Sequence, residues 1–464
     1  MNIQQYIGEN HFKIISKLAK AEQTEVFIVG GFVRDVILDR KRTEIDFLVI
    51  GNGTKFAEEL SKKLKVAKIN IFKNFGTAHF TYNGIDFEFV GARKESYKKN
   101  SRKPEIETGT FKDDIKRRDF TINTLAVSLN EKNFGEVIDT YNALDDIKNK
   151  IIRTPLNPLQ TFNDDPLRIL RAFRFAAQLN FKVDDNILIA SKEMSERLKI
   201  VSQERITDEL FKILKSDKPS IGLKLLQETG VMKIIFPEIA NLSGVEQRKD
   251  FHHKEVFLHT CQVVDNIAEK TDNVWLRFAA LVHDIAKPKT KRFIEGTGWT
   301  FHGHEEIGAR MMKAIFKRLK LPMNKLGYIE KLVRLHLRPI ALASENVTDS
   351  AIRRLSATAG EDLDDLITLC RADITSKNPQ KVSKYLRNYE NVMAKVKEVQ
   401  EKDNLRAFQS PVRGEEIMEI CNLKPSKKVG EIKTAIEEAI LDGKIANTYE
   451  DAKKYLYEIK DKFI

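Results

Sequence analysis

The sequence predicts an α+β protein: a small mixed sheet flanked by helices, followed by an extended region that is all helical. Three observations support this prediction. Short strand-like runs separated by turns occupy roughly the first 155 residues. From about residue 158 onward, apolar residues recur at spacings of three and four, as they do along amphipathic helices. The length of 464 residues exceeds what one hydrophobic core usually serves, so we expect several domains.

The composition indicates a globular protein with a polyanionic partner. Hydrophobic residues make up 42% of the chain, and 79 Lys and Arg against 67 Asp and Glu give a net charge of +12. This excess is spread along the chain and favours nucleic acid as a partner. No apolar run approaches the roughly 18 residues of a membrane span and no signal-peptide pattern is present, so we expect a cytoplasmic protein. The three cysteines, Cys261, Cys370 and Cys421, have neither disulfide nor zinc spacing.

Local patterns predict the elements and the domain boundaries. Strands are expected over residues 47–50, 77–82, 85–90 and 125–129. Asn52-Gly53 and Asn83-Gly84 are typical of turns. The change of pattern near 155, and breaks near 237–251 and 376–381, predict four domains that span residues 1–155, 156–245, 246–375 and 376–464.

The most informative segment joins a double glycine to a pair of acids. An apolar run enters Gly30-Gly31, and a Gly-Gly turn that feeds a helix offers backbone N–H groups to a triphosphate. Glu44 and Asp46 follow on a second apolar run. Alternate residues of a strand share a face, so these carboxylates repel each other unless divalent cations lie between them. Two such cations catalyse phosphoryl transfer; a solvated acidic face and an ordinary turn are the alternative.

A third acid, Glu88, lies between two phenylalanines on a later strand-like run. It is a candidate metal ligand or the base that takes the proton from an attacking hydroxyl. Asp86 shares its face and competes for this role. The alternative is a carboxylate that faces solvent on an edge strand.

Two arginine-rich segments supply candidate phosphate ligands. RRD at 117–119 places two guanidinium forks beside Asp119, which could orient them, or it is an exposed charged turn. DDPLRILRAFR at 164–174 opens the helical region, where Asp165 before Pro is a good N-cap. Three arginines on one side of this helix need anionic partners: Arg168, Arg171 and Arg174. Arg with Asp also offers the donor and acceptor that the Watson–Crick edge of a base requires.

These motifs, in this order, resemble those of class II tRNA nucleotidyltransferases and bacterial poly(A) polymerases of the DNA polymerase beta-like superfamily. The strings are GGFVRD at 30–35, EID at 44–46, RRDFTIN at 117–123 and DDPLRILRAFR. ERITDEL at 204–210 also resembles a neck motif, so the resemblance covers most of the chain. It implies a nucleotidyltransferase head followed by a helical neck, body and tail. It further implies an enzyme that adds C, C and A to tRNA from CTP and ATP.

The resemblance implies a role for each matching residue. Glu44 and Asp46 would bind two Mg²⁺ ions, with Glu88 as the third catalytic acid. Asp165 and Arg168 would read the incoming base as a protein template for C and A. The remaining nucleotide contacts would come from Gly30, Gly31, Arg34, Arg118, Arg171 and Arg174.

Two positions depart from the family. The family usually has Asp where this chain has Glu44, and the extra methylene can shift metal geometry, although either acid ligates Mg²⁺. DTYNALD at 139–145 resembles a hinge motif that usually carries Pro and Gly at the positions of Thr140 and Ala143. We therefore expect a stiffer hinge that affects switching from C to A rather than catalysis.

Seven of the nine histidines fall between residues 252 and 336. A lone His on a helix is usually a core or surface residue, but imidazoles and carboxylates from several helices can hold divalent metals. VFLHT at 256–260, LVHDIAKP at 281–288 and HEEIG at 304–308 resemble HD-domain metal-dependent phosphohydrolases. By that resemblance the core ligands are His259, His283, Asp284 and Asp373, and His304 and His336 complete a second site. Weaker candidates are His252, His253 and His302.

Some nucleotidyltransferases carry such a domain, with 2′,3′-cyclic phosphodiesterase or phosphatase activity that could repair an RNA 3′ end. The sequence does not identify its metal, and a retained structural metal site is the alternative.

Two regions are expected to bind tRNA. The basic loop at 96–104 would hold the acceptor stem by its phosphates, through Lys98, Lys99, Arg102 and Lys103. Segments 414–418 and 430–433 resemble the family's tail, where the elbow of tRNA would dock.

Three alternatives stay open at the level of sequence. A poly(A) polymerase, or an enzyme that adds only CC or only A, would carry nearly the same motifs. A second alternative is a phosphohydrolase whose head only binds RNA. Glu44, where the family usually has Asp, favours this alternative. An RNA chaperone would leave the carboxylates and histidines without a role. The oligomeric state does not follow from the sequence.

Overall fold

The computed structural model describes residues 3, 6–40, 44–72, 76–96, 105–245, 255–296, 298–342, 347–376, 378–407, 410–442 and 444–463. The chain forms two compact units. The first comprises residues 1–337 and 361–383, and the second comprises residues 338–360 and 384–464.

The first unit begins with the predicted mixed sheet. The strands of this N-terminal region are β1 (Val26–Val29), β2 (Glu44–Val49), β3 (Asn70–Phe72), β4 (Thr77–Tyr82), β5 (Ile85–Gly91), β6 (Arg93–Ser96), β7 (Glu105–Thr108), β8 (Ala126–Ser128) and β9 (Val137–Ile138). Seven of them form one sheet in the order β3-β4-β5-β2-β1-β8-β9, and β6 pairs with β7 separately. Within the seven-stranded sheet, β2 and β5 run parallel and the other neighbours are antiparallel. The α+β prediction is confirmed.

One face of this sheet is covered by aromatic packing. Phe47 and Phe89 stack with ring centroids 4.5 Å apart, and Phe56 of a covering helix reaches Phe89 at 6.0 Å. The helices of this region are α1 (Asn10–Ala21), α2 (Gly31–Ile37), α3 (Gly53–Lys63), α4 (Phe111–Lys116) and α5 (Ala143–Asn149). Because side chains alternate along a strand, burial of Phe47 and Phe89 leaves the acids of β2 and β5 on the other face.

The predicted turn at Asn83-Gly84 is confirmed, since both residues have positive φ. The predicted turn at Asn52-Gly53 is wrong, because this pair begins α3. The side chain of Asn52 accepts a hydrogen bond from Lys55 N at 3.0 Å and so caps the helix. Gly53 is required by packing, since a Cβ atom there would lie 2.6 Å from the backbone nitrogen of Gly91 on β5.

Helices dominate from Pro158 onward, as predicted. Those of the first unit are α6 (Pro158–Asp164), α7 (Leu167–Leu179), α8 (Asp185–Met194), α9 (Gln203–Leu214), α10 (Pro219–Glu228), α11 (Val231–Ile235), α12 (Pro237–Ala240), α13 (Val256–Ala268), α14 (Val274–Val282), α15 (Lys287–Thr290), α16 (His304–Arg318), α17 (Leu326–Leu335) and α20 (Leu363–Ala372). Two short strand pairings accompany the predominantly helical region: β10 (Ile151–Ile152) pairs with β11 (Lys182–Val183), and β12 (Arg292–Ile294) pairs with β13 (Gly298–Thr300).

A buried arginine joins several helix ends in this unit. Arg277 on α14 is only 2% exposed, and its guanidinium donates to the carbonyl oxygens of Leu214, Ser216, Ala268 and Thr271 at 2.8–3.2 Å. These carbonyls lie at or just beyond the C-terminal ends of α9 and α13, where the helix itself supplies no donor. Oδ1 of the exposed Asp272 also accepts from Nη2 of Arg277, at 3.3 Å.

The second unit contains its own apolar core. Its helices are α18 (Arg338–Ala341), α19 (Asp349–Ala359), α22 (Gly414–Ile420), α23 (Lys427–Leu441) and α24 (Tyr449–Ile459), with most of α21 (Pro379–Ala407). Val412, Ile417, Ile432, Ile436 and Leu456 are fully buried against one another. No helix within the described ranges is long and apolar enough to cross a membrane.

Candidate active sites

Three carboxylates meet on the open face of the sheet and form what we call the carboxylate cluster: Glu44, Asp46 and Glu88. One oxygen of each lies within 4.8 Å of the others. The parallel register sets Asp46 directly opposite Glu88, so the pairing of β2 with β5 delivers the third acid. Asp86, its competitor, instead accepts a hydrogen bond from the Thr81 hydroxyl at 2.6 Å.

The carboxylate cluster carries uncompensated negative charge. Burial, and next the charge of Glu44, raise the pKa of Asp46 to about 6, although Arg118 opposes the shift. Burial and Glu44 also raise the pKa of Glu88. A donor set made only of carboxylate oxygens, with raised pKa values, fits a hard divalent cation.

Gly30 allows an arginine to approach this cluster. Its φ of +75° is left-handed, and a Cβ atom there would lie 3.0 Å from Nη1 of Arg118 and 3.5 Å from Oδ2 of Asp46. Any side chain at this position would therefore be strained and would crowd Arg118. Gly31 follows as the first residue of α2.

Arg118 is held by a residue to which sequence reasoning assigned no role. Asp114 is fully buried and accepts from Nη2 of Arg118 at 3.0 Å and from Nε of Arg117 at 3.0 Å. The expectation that Asp119 orients these two guanidiniums is wrong. Positions three and four residues apart lie on the same side of a helical turn, whereas adjacent residues diverge. The spacing from Asp114 to Arg118 was the signal that could have found it.

Asp119 instead holds groups that come from elsewhere in the chain. It accepts from Nδ2 of Asn123 at 2.9 Å and from Nε of Arg171 at 2.7 Å. Asn123 in turn accepts from Nη1 of Arg34 at 2.8 Å. Burial alone would raise the pKa of Asp119, but Arg171 and Asn123 hold it well below its usual range.

Three guanidiniums surround one aromatic ring that sequence reasoning also missed. The guanidinium carbons of Arg34, Arg171 and Arg174 lie 5.1, 5.8 and 4.1 Å from the centre of the Phe175 ring. Arg174 also forms an ion pair of 2.7 Å with the buried Glu209 of α9. The face of the Phe175 ring attracts the guanidiniums and restricts the orientation of their planes. It leaves their positive charge in place. An aromatic residue directly after the last arginine of α7 was the available signal.

Asp165 and Arg168 lie at the start of α7 as predicted. Oδ1 of Asp165 accepts from Leu167 N at 3.1 Å, so the N-capping expectation is confirmed. Arg168 donates to the carbonyl oxygen of Arg117 at 2.8 Å, which joins α7 to the segment after α4. Their role in reading a base stays a prediction.

All six residues that the HD-domain resemblance predicts as metal ligands converge from five helices. We call this set the histidine cluster. His259 lies on α13, and the others lie at or beside helix ends. Two groups each bring three ligand atoms within 4.8 Å of one another: His259, His283 and Asp373, and Asp284, His304 and His336.

The imidazoles of the histidine cluster are fixed in one orientation. In His283, His304 and His336, Nδ1 lies 2.7–2.8 Å from the carbonyl oxygen three residues earlier. In a neutral ring this leaves the lone pair on Nε2, as at most metal-binding histidines. The Nε2 atoms of His304 and His336 face each other at 3.3 Å, and buried Nε2 of His283 makes no hydrogen bond of normal geometry. These converging lone pairs fit a divalent cation.

Opposite charges already compensate one another within the histidine cluster. Asp284 lies 3.2 Å from Nε2 of His283 and 2.6 Å from Nζ of Lys287. Burial would raise the pKa of Asp284, but these two cations hold it well below its usual range. Burial would lower the pKa of His283, yet Asp284 and Asp373 raise it to about 10.

Some predicted residues do not belong to either cluster. Lys98, Lys99, Arg102 and Lys103 of the basic loop lie outside the described residues, as do His252 and His253. His302 is exposed. The three cysteines are free and buried.

Comparison with protein families divides the chain into three matched regions. Residues 26–153 match the poly A polymerase head domain, and residues 180–242 match the family described as a probable RNA- and SrmB-binding site of polymerase A. Residues 252–378 match the HD domain. Head domains of this type and HD domains use divalent metals, which agrees with the two ligand clusters.

Two curated relatives resemble the chain in sequence. The A-adding tRNA nucleotidyltransferase of Aquifex aeolicus is 34% identical over 58% of this chain and 32% of its own length. The multifunctional CCA protein of Psychromonas ingrahamii is 34% identical over 71% of this chain and 78% of its own length. The chain thus matches about a third of the first relative and more than two thirds of the second.

Solved structures share the fold. The Thermotoga maritima CCA-adding enzyme complexed with tRNA-CCA is 22% identical over 99% of both chains, with a TM-score of 0.61. A tRNA nucleotidyltransferase complexed with a primer tRNA and an incoming ATP analog is 23% identical, with a TM-score of 0.59. That match covers 82% of this chain and 98% of the other.

Proposed function

The chain belongs to the tRNA nucleotidyltransferase and poly(A) polymerase family, and we propose that it adds C, C and A to the 3′ end of tRNA from CTP and ATP. The observation that carries the proposal is the carboxylate cluster beside Gly30 and Arg118. It places a cation-binding acidic group next to phosphate-binding cations. The proposal includes a cytoplasmic location, where tRNA and both nucleotides are present.

In the proposed reaction, the 3′ hydroxyl oxygen of tRNA forms a bond to the α-phosphorus as the bond to pyrophosphate breaks. Glu44 and Asp46 would hold Mg²⁺, which when bound makes the hydroxyl more acidic and offsets charge on the phosphates. Glu88 either completes this ligand set or accepts the hydroxyl proton. Its raised pKa suits the second role.

The arginines around Phe175 would position the nucleotide. Arg34 and Arg171 present guanidinium planes whose orientation is fixed by Asn123 and Asp119. Fixed forks bind phosphates with little loss of side-chain entropy. Asp165 and Arg168 would then offer an acceptor and a donor to the base of CTP or ATP.

The second unit would bind tRNA by its phosphates. The residues that line an open depression there include two glycines, Gly414 and Gly430, two cations, Arg413 and Lys433, and one acid, Glu415. Glycines admit a phosphate close to the backbone, and the two cations favour it. The basic loop at 96–104 would add further contacts to tRNA phosphates.

We propose four segments along the chain: a head (1–155), a neck (156–245), an HD domain (246–375) and a tRNA-binding tail (376–464).

The test uses a tRNA that lacks its terminal CCA. We expect CTP alone to add two residues, ATP alone to add none, and both together to add three. Addition of A alone to a tRNA ending in CC, without C addition, would identify an A-adding enzyme instead. Long untemplated poly(A) on any RNA would identify a poly(A) polymerase and overturn the proposal.

A second activity is supported by the histidine cluster. We propose that it hydrolyses a 2′,3′-cyclic phosphate or a terminal phosphate: water adds to phosphorus, and a ribose oxygen leaves with a proton. The ligand atoms form two groups of three, and a cation held by three protein ligands keeps a coordination position for water or substrate, which favours this function over a purely structural cluster. Replacing His283 with Ala should abolish such hydrolysis and leave nucleotide addition intact.

A further inference from the structure

An exposed hairpin, β12–β13, lies between two members of the histidine cluster. Its strands are Arg292–Ile294 and Gly298–Thr300, while Asp284 precedes it and His304 follows it closely. The hairpin is therefore close in the chain to the cluster on both sides. Neither activity proposed above gives this hairpin a role.

The hairpin displays a fixed pair of aromatic rings. Phe293 lies opposite Trp299 in the strand register, and the rings meet edge to face with centroids 5.3 Å apart. Phe293 is 64% exposed. Nζ of Lys291 lies 4.2 Å from the centre of the Trp299 ring. Exposed aromatic side chains held in place by their neighbours are the surfaces on which unpaired bases stack.

The charges around these rings have one predominant sign. Residues 287–301 contain four cations, Lys287, Lys289, Lys291 and Arg292, and one acid, Glu295. Cations interleaved with aromatic residues are typical of surfaces that bind single-stranded nucleic acid. Phosphates would pair with the cations while a base covers the rings.

This surface continues directly into the histidine cluster. Nζ of Lys287 lies 2.6 Å from Asp284 and 5.6 Å from the centre of the Phe301 ring. The carbonyl oxygen of Phe301 is the one that contacts Nδ1 of His304 at 2.7 Å. Trp299 is two strand residues away from Phe301, roughly 7 Å of chain.

We propose that the hairpin binds the last nucleotides of a single-stranded RNA 3′ end and stacks a base on Phe293 and Trp299. The terminal phosphate would then reach the histidine cluster. This inference rests on the hydrolytic activity proposed above, and it specifies an RNA end rather than a free nucleotide as the substrate.

The first test compares two substrates with the full chain and Mn²⁺: a short RNA ending in a 2′,3′-cyclic phosphate, and 2′,3′-cyclic AMP. The double variant Phe293→Ala/Trp299→Ala should raise KM for the RNA about 5- to 150-fold and leave cyclic AMP hydrolysis unchanged. Ile294→Ala is the matched control, because Ile294 is 44% exposed and points to the other face of the same strand. Equal losses on both substrates, or no change on either, would overturn the inference.

The second test does not depend on hydrolysis. Trp299 becomes the sole tryptophan in a Trp275→Phe variant, since the chain has two. Titration with a single-stranded RNA bearing a 3′ hydroxyl, in EDTA, should quench its fluorescence saturably. Without quenching, the hairpin inference fails even if hydrolysis occurs. With quenching and no hydrolysis of either substrate by the unmodified protein, the hydrolytic proposal fails and only the binding of RNA by the hairpin stands.

Discussion

The carboxylate cluster and the histidine cluster both fit divalent cations, yet they differ in charge balance. In the first, three acids share one open face, and Arg118 is the cation that lowers the pKa of Asp46. In the second, Asp284 already interacts with His283 and Lys287 inside the protein. Without a cation, the carboxylate cluster is therefore destabilised by repulsion among its acids, whereas the histidine cluster is stabilised by its own ion pairs.

The difference teaches that metal-binding residues need not affect stability in the same direction. Repelling ligands destabilise the metal-free fold, and self-compensating ligands stabilise it. Replacing one aspartate in each cluster with asparagine should separate the two cases.

The largest expected effect is on nucleotide addition. Asp46→Asn should reduce incorporation about 10³-fold or more, because a cation held by this carboxylate contributes several kcal/mol to the transition state. The assay is incorporation of labelled CTP into tRNA lacking CCA. Asp86→Asn is the matched control on the same face and should retain most activity. An Asp46→Asn protein with more than a tenth of normal incorporation would contradict the site assignment.

The next effect is on the stability of the metal-free protein. Asp284→Asn should lower the free energy of unfolding by about 3–5 kcal/mol, because it removes the carboxylate that pairs with Lys287 and leaves the buried His283 with Asp373 alone, at 3.5 Å. Urea denaturation after EDTA treatment measures this loss. Asp364→Asn, an exposed change on α20, should stay within about 0.5 kcal/mol of the unmodified protein.

The pH dependence of that loss has a definite sign. Asp284 has a lowered pKa, so its contribution is present above its ordinary pKa near 4 and disappears at lower pH. His283 has a pKa raised to about 10, so its contribution is full below 6.5 and disappears as pH rises toward 10. The loss in Asp284→Asn should be greatest between about pH 4.5 and 6.5. A loss that grows above pH 8 would contradict the ion-pair account.

Asp46→Asn should have the opposite effect on stability. The pKa of Asp46 is raised to about 6, so ionising it in the folded state costs up to about 2–3 kcal/mol at pH 7.5. The metal-free variant should be more stable by this amount above pH 6, and the gain should vanish near pH 4. Urea denaturation in EDTA at both pH values measures it. A variant less stable than the unmodified protein at pH 7.5 would show that the acids are not in conflict.

The smallest effect concerns the length of the side chain at residue 44. Glu44→Asp should keep incorporation within about tenfold of the unmodified protein, because either carboxylate ligates Mg²⁺. Glu44→Gln should lose about 100-fold or more, since it removes the charge. Both are measured by the same incorporation assay at saturating Mg²⁺. Equal activity in the two variants would exclude Glu44 as a ligand.

Local features of both sites could be predicted from sequence. Alternation along one strand is enough to place Glu44 beside Asp46, and HD-type strings are enough to predict which histidines converge. The choice of Glu88 over Asp86 depends on the parallel pairing of β2 with β5 and on the hydrogen bond from Thr81 to Asp86, and no local pattern fixes either. The partner of Arg171 was missed for the same reason. Asp119 and Arg171 are 52 positions apart, and only the fold brings them together.

The position of Arg277 in the chain has a consequence for synthesis on the ribosome. Its carbonyl partners, from Leu214 to Thr271, all precede it in the chain. These acceptors have therefore already been synthesised when Arg277 leaves the ribosome. His283 must wait about 90 residues for Asp373, which at typical translation rates is roughly 5–20 s. During that interval the nascent chain contains the imidazole of His283 but not yet the carboxylate of Asp373. A ribosomal pause between residues 283 and 373 would prolong the time during which the incomplete histidine cluster is accessible to chaperones and proteases.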